Sequence, residues 1–299
     1  MVKKGVILCG GLGTRFLPIT KAVPKEMLPI IDRPVVDYIV DEAVNSGIKE
    51  ILIIISPNKD CIKEYYQPNP ELYQKLMESG KQDYARVIDQ IPQKANVSFD
   101  VQYIPKGSGD ALLIAQEFVS GEPFALMLGD DVMYNDQNPV VKQLISVYEK
   151  YQKTVLGVQR RTPPEIFRYG VIDILERLEP DVYDMKGILE KPSSVDDLTS
   201  DLATLGRYIL TPEIFEILKK TPLGINNELQ LTDGINLLAQ QSGALAYVFE
   251  GRRYDMGNKL GSLEAITEYA LRDQELGKAY KEYLTELLKN IQKVFFKTN

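Results

Sequence analysis

Residues 5–30 read GVILCGGLGTRFLPITKAVPKEMLPI, and the fold turns on this stretch. Gly5–Cys9 is a short apolar run without polar alternation, the pattern of a strand buried on both faces. It runs directly into Gly10-Gly11-Leu12-Gly13-Thr14-Arg15, and Lys21 and Lys25 follow. Backbone N–H groups at such a turn can approach a phosphate closely, and Arg15 offers it a planar fork of donors. The turn lacks the GxxxxGK[ST] spacing of a P-loop, and Phe16 stands where a dinucleotide fingerprint needs its third glycine. On the glycines alone, a plain tight turn is an equal reading. The cations favour a site. Lys25 and Glu26 sit between Pro24 and Pro29 on a stiffened backbone, where Lys25 can neutralise a triphosphate while Glu26 or nearby backbone faces a base.

Working outward, strands and helices alternate. Apolar residues at helical spacing predict a helix over Val35–Ser46, stopped at Gly47. Ile51–Ile55 is a second buried strand. A helix begins over Cys61–Tyr65, a charged helical stretch covers Leu72–Ile91, and Ser98–Tyr103 alternates like a strand. Asp110–Phe118 is a helix, Phe124–Leu128 a third buried strand and Val140–Gln152 a helix. Such repetition means a parallel sheet covered on both faces, with ligands at the carboxyl ends of its strands. The glycine turn and Gly129-Asp130-Asp131 both fall there. Beyond Thr154 the strands shorten (Val155–Gln159, Val171–Ile174, Gly206–Leu210, Ala246–Glu250), with helices at Glu213–Lys219, Asp233–Gln241 and Lys259–Leu271. No linker or repeat interrupts the chain, so one α/β domain with a mixed sheet over 1–299 is the simplest organisation. An amphipathic helix over Tyr280–Phe296 ends it, docked on its own domain or against another copy.

Composition removes whole classes of function. The 299 residues carry 35 Lys+Arg against 42 Asp+Glu, a formal charge of −7. That argues against nucleic acid or an anionic membrane as partner, so anion binding must be local. Two cysteines, Cys9 and Cys61, without a CxxC, speak against structural zinc and disulfides and fit a reducing cytosol. Histidine is absent, which excludes Ser-His-Asp and Cys-His catalysis and His-ligated metals. Carboxylates, Lys, Arg and a hard cation such as Mg²⁺ remain. The apolar run after MVKK is too short for a signal-peptide core and no stretch reaches membrane-spanning length, so the cytoplasm is the expected location.

GGLGTRFLPITKAVPKEMLPIIDRP resembles the N-terminal signature of the sugar-1-phosphate nucleotidyltransferases, and PKEMLPI is similar to the wording of their bacterial uridylyl branch. The likeness continues in order through the charged insertion Tyr65–Ile91, KGSGDA (106–111), GDD (129–131), YGVI (169–172), LEKP (189–192), GRYILTP (206–212), ELQLTD (228–233) and YDMG (254–257). Each motif alone is weak; the ordered set carries the resemblance. It implies a Rossmann-like, GT-A-like α/β fold with a central mixed, mostly parallel sheet. The nucleotide-binding half would span about 1–153, the sugar-binding half about 154–271 and a C-terminal helix about 280–296. It further implies Mg²⁺-dependent transfer of UMP from UTP to glucose 1-phosphate, giving UDP-glucose, a cell-envelope polysaccharide precursor, and pyrophosphate. A homodimer or homotetramer is the implied assembly.

The same resemblance distributes roles. Gly10, Gly11, Gly13 and Thr14 would cradle the nucleotide, Arg15 the departing pyrophosphate and Lys25 the triphosphate, with Glu26 beside them. Gln102 would read the uracil edge, which needs both a donor and an acceptor, with Gly107 and Gly109 flanking base and ribose. Asp130 and Asp255 would hold Mg²⁺. Gly170 would let the backbone approach the hexose, Glu190 would bind two sugar hydroxyls and Lys191 the sugar phosphate. ELQLTD resembles a family motif near the sugar pocket, but Thr232 or Asp233 reads first as the N-cap of the following helix. The attacking phosphate oxygen is already ionised, so no general base is needed and alignment and charge compensation suffice.

The chain departs from the family wording at Cys9-Gly10, at Asp110 where histidine is common, and at Met256 where cysteine is. A carboxylate at Asp110 would alter nucleotide affinity or metal placement. Rival readings are a transferase for dTTP or another sugar phosphate, and a non-catalytic sugar-nucleotide sensor. The sensor would be expected to lose Lys25, Asp130, Lys191 or Asp255, and all four are present. A sugar-transferring enzyme on the same fold would show a DxD motif after Leu128, where GDD stands instead.

Overall fold

The computed structural model describes residues 1–224 and 227–295. In chain order its strands are β1 (Lys4–Cys9), β2 (Pro29–Ile30), β3 (Arg33–Pro34), β4 (Glu50–Ile55), β5 (Asn96–Val101), β6 (Phe124–Leu128), β7 (Asp131–Tyr134), β8 (Thr154–Arg160), β9 (Gly170–Glu179), β10 (Val182–Glu190), β11 (Leu202–Leu210), β12 (Ala244–Val248) and β13 (Arg252–Asp255). The helices are α1 (Val35–Asn45), α2 (Asp60–Tyr65), α3 (Pro70–Glu78), α4 (Gln82–Gln90), α5 (Ser108–Ile114), α6 (Gln116–Val119), α7 (Val140–Tyr151), α8 (Glu213–Leu218), α9 (Leu231–Ser242), α10 (Lys259–Arg272) and α11 (Gly277–Phe295).

Nine strands form one sheet in the order β5-β4-β1-β6-β11-β8-β12-β10-β9. β5, β4, β1 and β6 run parallel, as the apolar runs of β1, β4 and β6 predict, and the alternating β5 takes the edge. β11 enters antiparallel to both β6 and β8, and only the β8–β12 pair beyond it is parallel. The sheet is therefore mixed, with its parallel character concentrated in the N-terminal half. Pleating divides each strand between two cores. Ile7 and Cys9 face Val36, Ile39, Val40 and Leu144, while Val6 and Leu8 face Leu112, Ile214, Leu218 and Ile235.

Three sequence expectations change. The helical stretch Leu72–Ile91 breaks into α3 and α4 at Ser79-Gly80, where Gly80 takes a φ of 73°. The short strand expected at Val171–Ile174 is one arm of the long hairpin β9–β10. Arg252–Asp255, unassigned in the sequence, pairs antiparallel with β7 and sets Asp255 opposite Asp131. Along α11, Tyr283, Leu287, Leu288 and Ile291 are exposed; Phe296, the last residue of the expected helix, lies outside the described residues. No helix among the described residues is long and apolar enough to cross a membrane.

Candidate active site

The glycine turn leaves the end of β1 and is fixed from below by the segment after β4. Lys59 Nζ donates to the carbonyls of Cys9 at 2.7 Å and Gly11 at 2.9 Å, and Ser56 Oγ donates to that of Gly10. A trans peptide sets each N–H opposite its C=O, so the amides of Gly11 and Leu12 face away from Lys59 and Ser56. Gly13 adopts the left-handed conformation at φ 67°, which glycine supplies without a Cβ penalty. Thr14 and Arg15 follow in an exposed turn, and Arg15 Nη1 donates to the Gly257 carbonyl at 3.1 Å.

Glu26 is a correction. It is fully buried, and both its oxygens accept from Lys59, at 3.0 and 2.9 Å. Burial pushes its carboxyl up, against the pull of Lys59 and Lys25. With no surface to offer a base, it anchors Lys59 beneath the turn. Lys21 is exposed and away from this network.

Lys25 lies against the turn, its Nζ 3.2 Å from where a Cβ on Gly11 would stand, and meets Asp130 Oδ2 at 2.5 Å. Burial would lower the Lys25 ammonium, but Asp130 and Glu26 outweigh it and hold the group above its ordinary value. Burial likewise opposes the Asp130 charge, and Lys25 overcomes it, so the carboxyl stays below its usual range. Asp130 follows β6 through Gly129, where a Cβ would stand 2.6 Å from Cys9 Sγ. Its carbonyl accepts from Met256 N at 2.8 Å, which ties it to the end of β13. Gly257 separates the two aspartates: a Cβ there would lie 2.9 Å from Asp130 Oδ2 and 3.0 Å from Asp255 Oδ1. Two facing carboxylates suit a hard divalent cation that keeps waters and phosphate oxygens in its shell.

Asp131 has a different task. It is buried against Arg253, whose Nη2 comes within 2.5 Å of Oδ1, and Arg253 Nη1 donates to Tyr169 Oη at 2.8 Å. The Asp131 carbonyl accepts from Arg207 at 2.7 Å, and Arg207, fully buried, pairs with Glu42 of α1 at 2.8 Å.

Glu190 ends β10, and Lys191 follows with φ 46°. Lys191 Nζ stands 3.3 Å from Glu190 Oε1, and Thr232 Oγ1 donates to Glu190 Oε2 at 3.1 Å. Thr232 is thus no helix cap. α9 begins at Leu231, whose N–H is taken by Ser108 Oγ at 3.1 Å, which leaves the threonine hydroxyl for the carboxylate. Gly170 is needed for close approach, since a Cβ would sit 2.7 Å from Ile188 Cγ2 and 3.2 Å from Glu190 Oε2.

A cleft of about 670 Å³ is lined by Arg15, Asp130, Gly170, Glu190, Lys191 and Asp255. Tyr169, Thr204, Tyr208, Arg253 and Asn258 share its wall, and the sequence marked none of these as lining; Thr232, from the motif that resembles one near the sugar pocket, lies there too. Gly10, Gly11, Gly13, Lys25 and Gln102 lie outside that lining. Gln102 is nearly buried, with Nε2 on the Gly107 carbonyl at 3.1 Å and on Asp110 Oδ2 at 2.8 Å. Asp110 is therefore engaged with Gln102. The glycines at 107 and 109 answer to protein packing: a Cβ at Gly107 would fall 2.4 Å from the Leu229 carbonyl, and one at Gly109 would fall 2.9 Å from Leu229 Cγ.

A glycine turn and Asp130 at the carboxyl ends of parallel strands, with Asp255 brought beside them by the β7–β13 pair at the edge of a polar cleft, suit an enzyme that transfers a nucleotide's phosphate group. The chain belongs to the nucleotidyl transferase family, whose model matches residues 4–272. Among its relatives are the UTP–glucose-1-phosphate uridylyltransferase 2 of Staphylococcus saprophyticus, 42% identical over 97% of this chain and 99% of that one, and the UTP–glucose-1-phosphate uridylyltransferase YngB of Bacillus subtilis, 42% identical over 96% of both. A UTP-bound UGPase from Acinetobacter baumannii superposes at a TM-score of 0.89, at 35% identity, over 96% of this chain and 100% of that one. A UDP-glucose pyrophosphorylase complexed with UDP-glucose gives 0.82 at 40% identity, over 91% of this chain and all of the other.

Proposed function

We propose that this protein transfers the uridylyl group of UTP to glucose 1-phosphate, releasing pyrophosphate and forming UDP-glucose. The observation that carries the reading is the convergence of Asp130, Asp255, Glu190 and Lys191 on one cleft, in a chain so close over its whole length to uridylyltransferases. The amides of the glycine turn and Arg15 take the β- and γ-phosphates, and Lys25 adds charge beside them. Gln102 meets the base edge. Glu190, with Thr232 and the bare backbone of Gly170, takes the hexose hydroxyls, and Lys191 the sugar phosphate. That phosphate is ionised at neutral pH and attacks the α-phosphorus in line, so the protein supplies alignment and charge compensation without a proton acceptor.

Asp130 and Asp255 would hold a divalent cation, in keeping with Mg²⁺, which usually takes one or two carboxylates. When bound, it would offset the negative charge where the two phosphates meet. Pyrophosphate release measured over four nucleoside triphosphates and several sugar phosphates tests the reading. The expected result is turnover with UTP and glucose 1-phosphate that stops in EDTA and returns with Mg²⁺. A preference for dTTP or another sugar phosphate would overturn the substrate assignment, and full turnover in chelator would overturn the roles of Asp130 and Asp255.

A further inference from the structure

The amide of Gln102 is held by groups that leave it one orientation. Its Nε2 donates to the Gly107 carbonyl and to Asp110 Oδ2. Carbonyl and ionised carboxylate only accept, so the NH₂ edge must face them and both its protons are used. Oε1 is turned the other way, towards Gly10: a Cβ built there would stand 3.6 Å from Oε1 and meet nothing else within 4 Å. The only fully enclosed side-chain polar atom without a partner among the described residues is Arg161 Nε, so Oε1, which no described group meets, keeps some accessible surface although Gln102 as a whole is 7% exposed. Asp110 lies in the first turn of α5, where a carboxylate is favourable in its own right. Yet no side chain caps that helix, and the carboxylate reaches sideways to Gln102.

We infer that Asp110 is a positioning residue that locks Gln102 so that it offers the base a lone pair. The inference deepens the proposed function and rests on Gln102 meeting the base edge. An open acceptor matches the N3–H of uracil or thymine and opposes the lone pair at N3 of cytosine. The lock therefore discriminates UTP from CTP and is indifferent between UTP and dTTP. Without Asp110, only the Gly107 carbonyl restrains the amide, and it can rotate to present NH₂ to cytosine.

The test compares Asp110→Ala, Asp110→Asn and Gln102→Ala by kcat/KM for UTP, CTP and dTTP and by calorimetric affinity for the three nucleotides, with melting temperatures to verify folding. Asp110→Ala should lower the UTP:CTP ratio roughly 10- to 100-fold, the equivalent of one hydrogen bond to a charged group. Asp110→Asn, whose carbonyl still accepts, should lower it less. Both should leave the UTP:dTTP ratio within about twofold of wild type, since the two bases share the same ring N–H. If Gln102→Ala collapses the UTP:CTP ratio while Asp110→Ala leaves it unchanged, the lock is wrong and the base-reading role of Gln102 stands. If Gln102→Ala leaves the ratio unchanged, the base-reading role itself fails. A loss for Asp110→Ala that is equal across all three nucleotides would mark general damage and also overturn the lock.

Discussion

On the nucleotide side of the cleft, the charges at Lys25, Glu26, Lys59 and Asp130 already have ionic partners inside the protein, whereas Arg15 meets a backbone carbonyl. Lys59 and Glu26 leave 9% and 0% of their side chains exposed, and Lys25 leaves 15%. On the sugar side, Glu190 and Lys191 leave 44% and 65% exposed at the end of a strand. The first region is charge-compensated by folding, so its turn is shaped before any phosphate arrives. The second pairs Glu190 with Lys191 in an exposed position, where a substrate can compete for both groups. The contrast predicts that removing a charge from the first region damages stability, whereas removing one from the second damages turnover alone.

The largest effects should fall where substrate charge is met. Lys191→Ala and Asp130→Ala are each expected to lower kcat/KM by about 10²–10⁴, the range for losing a group that stabilises transition-state charge. Lys191→Ala should leave the melting temperature near that of wild type because its side chain is exposed. Steady-state kinetics alongside a thermal melt checks both halves, and less than tenfold loss for both variants would remove these roles. Melting of Lys191→Ala well below wild type would show that the exposed pair also supports the fold.

Lys59→Met probes the opposite case. It strands Glu26 in a dry site, and breaking a buried pair from one side costs about 3–5 kcal/mol. The pH dependence has a definite sign. Burial already raises the Glu26 carboxyl and Lys59 opposes the rise, so losing Lys59 raises it further. The folded variant then binds more protons than its unfolded chain from the ordinary carboxylate range up to the raised value, and its stability falls as pH climbs through that window. Denaturant melts should show a deficit against wild type that is larger at pH 8 than at pH 5. Adding Glu26→Gln should recover part of it. An equal deficit at both pH values would mean that the stranded charge is not the cause.

These two regions also differ in how well the sequence announced them. β1, β4 and β6 are apolar runs buried on both faces, so their composition identifies them, and the glycine turn and GDD follow at their ends. Lys59 gave no signal, because a lone lysine after a strand looks like a solvated surface residue until the fold brings Cys9, Gly11 and Glu26 to it. Glu26 misled for the same reason. β10 escaped notice because register shifts near Tyr183 and Met185 break its alternation. Asp255 could be named from its motif, but the β7–β13 pairing that sets it beside Asp131 is long-range and leaves no local pattern. Thr232 read as a cap by helix-start grammar, but α9 begins one residue before it, at Leu231, whose N–H is met by the sequence-distant Ser108.

Gly170→Ala should have a smaller effect, confined to the sugar side. The added methyl would press on Ile188 Cγ2 and Thr204 Oγ1, at 2.7 and 3.0 Å, as well as on Glu190. Overpacking of this kind costs about 1–3 kcal/mol. Displacement of Glu190 should appear as a KM for the sugar phosphate raised roughly tenfold, within the range of that strain, with the KM for UTP little changed. Equal rises in both KM values would show that the two regions are not separable at this position.

Thr232→Val is expected to have the smallest effect. The substitution keeps the side chain's shape and removes one donor from Glu190, at a half-exposed site where water can replace it. A single hydrogen bond contributes about 0.5–1.5 kcal/mol, so the KM for glucose 1-phosphate should rise about 2- to 10-fold while the KM for UTP and the melting temperature hold. Thr232→Ser, which retains the hydroxyl, should behave as wild type. If Thr232 instead stabilised the start of α9, valine would lower the melting temperature and leave the KM alone. That outcome is disfavoured because Thr232 lies inside the first turn of α9, whose cap position is Gln230, and the threonine hydroxyl donates across to β10.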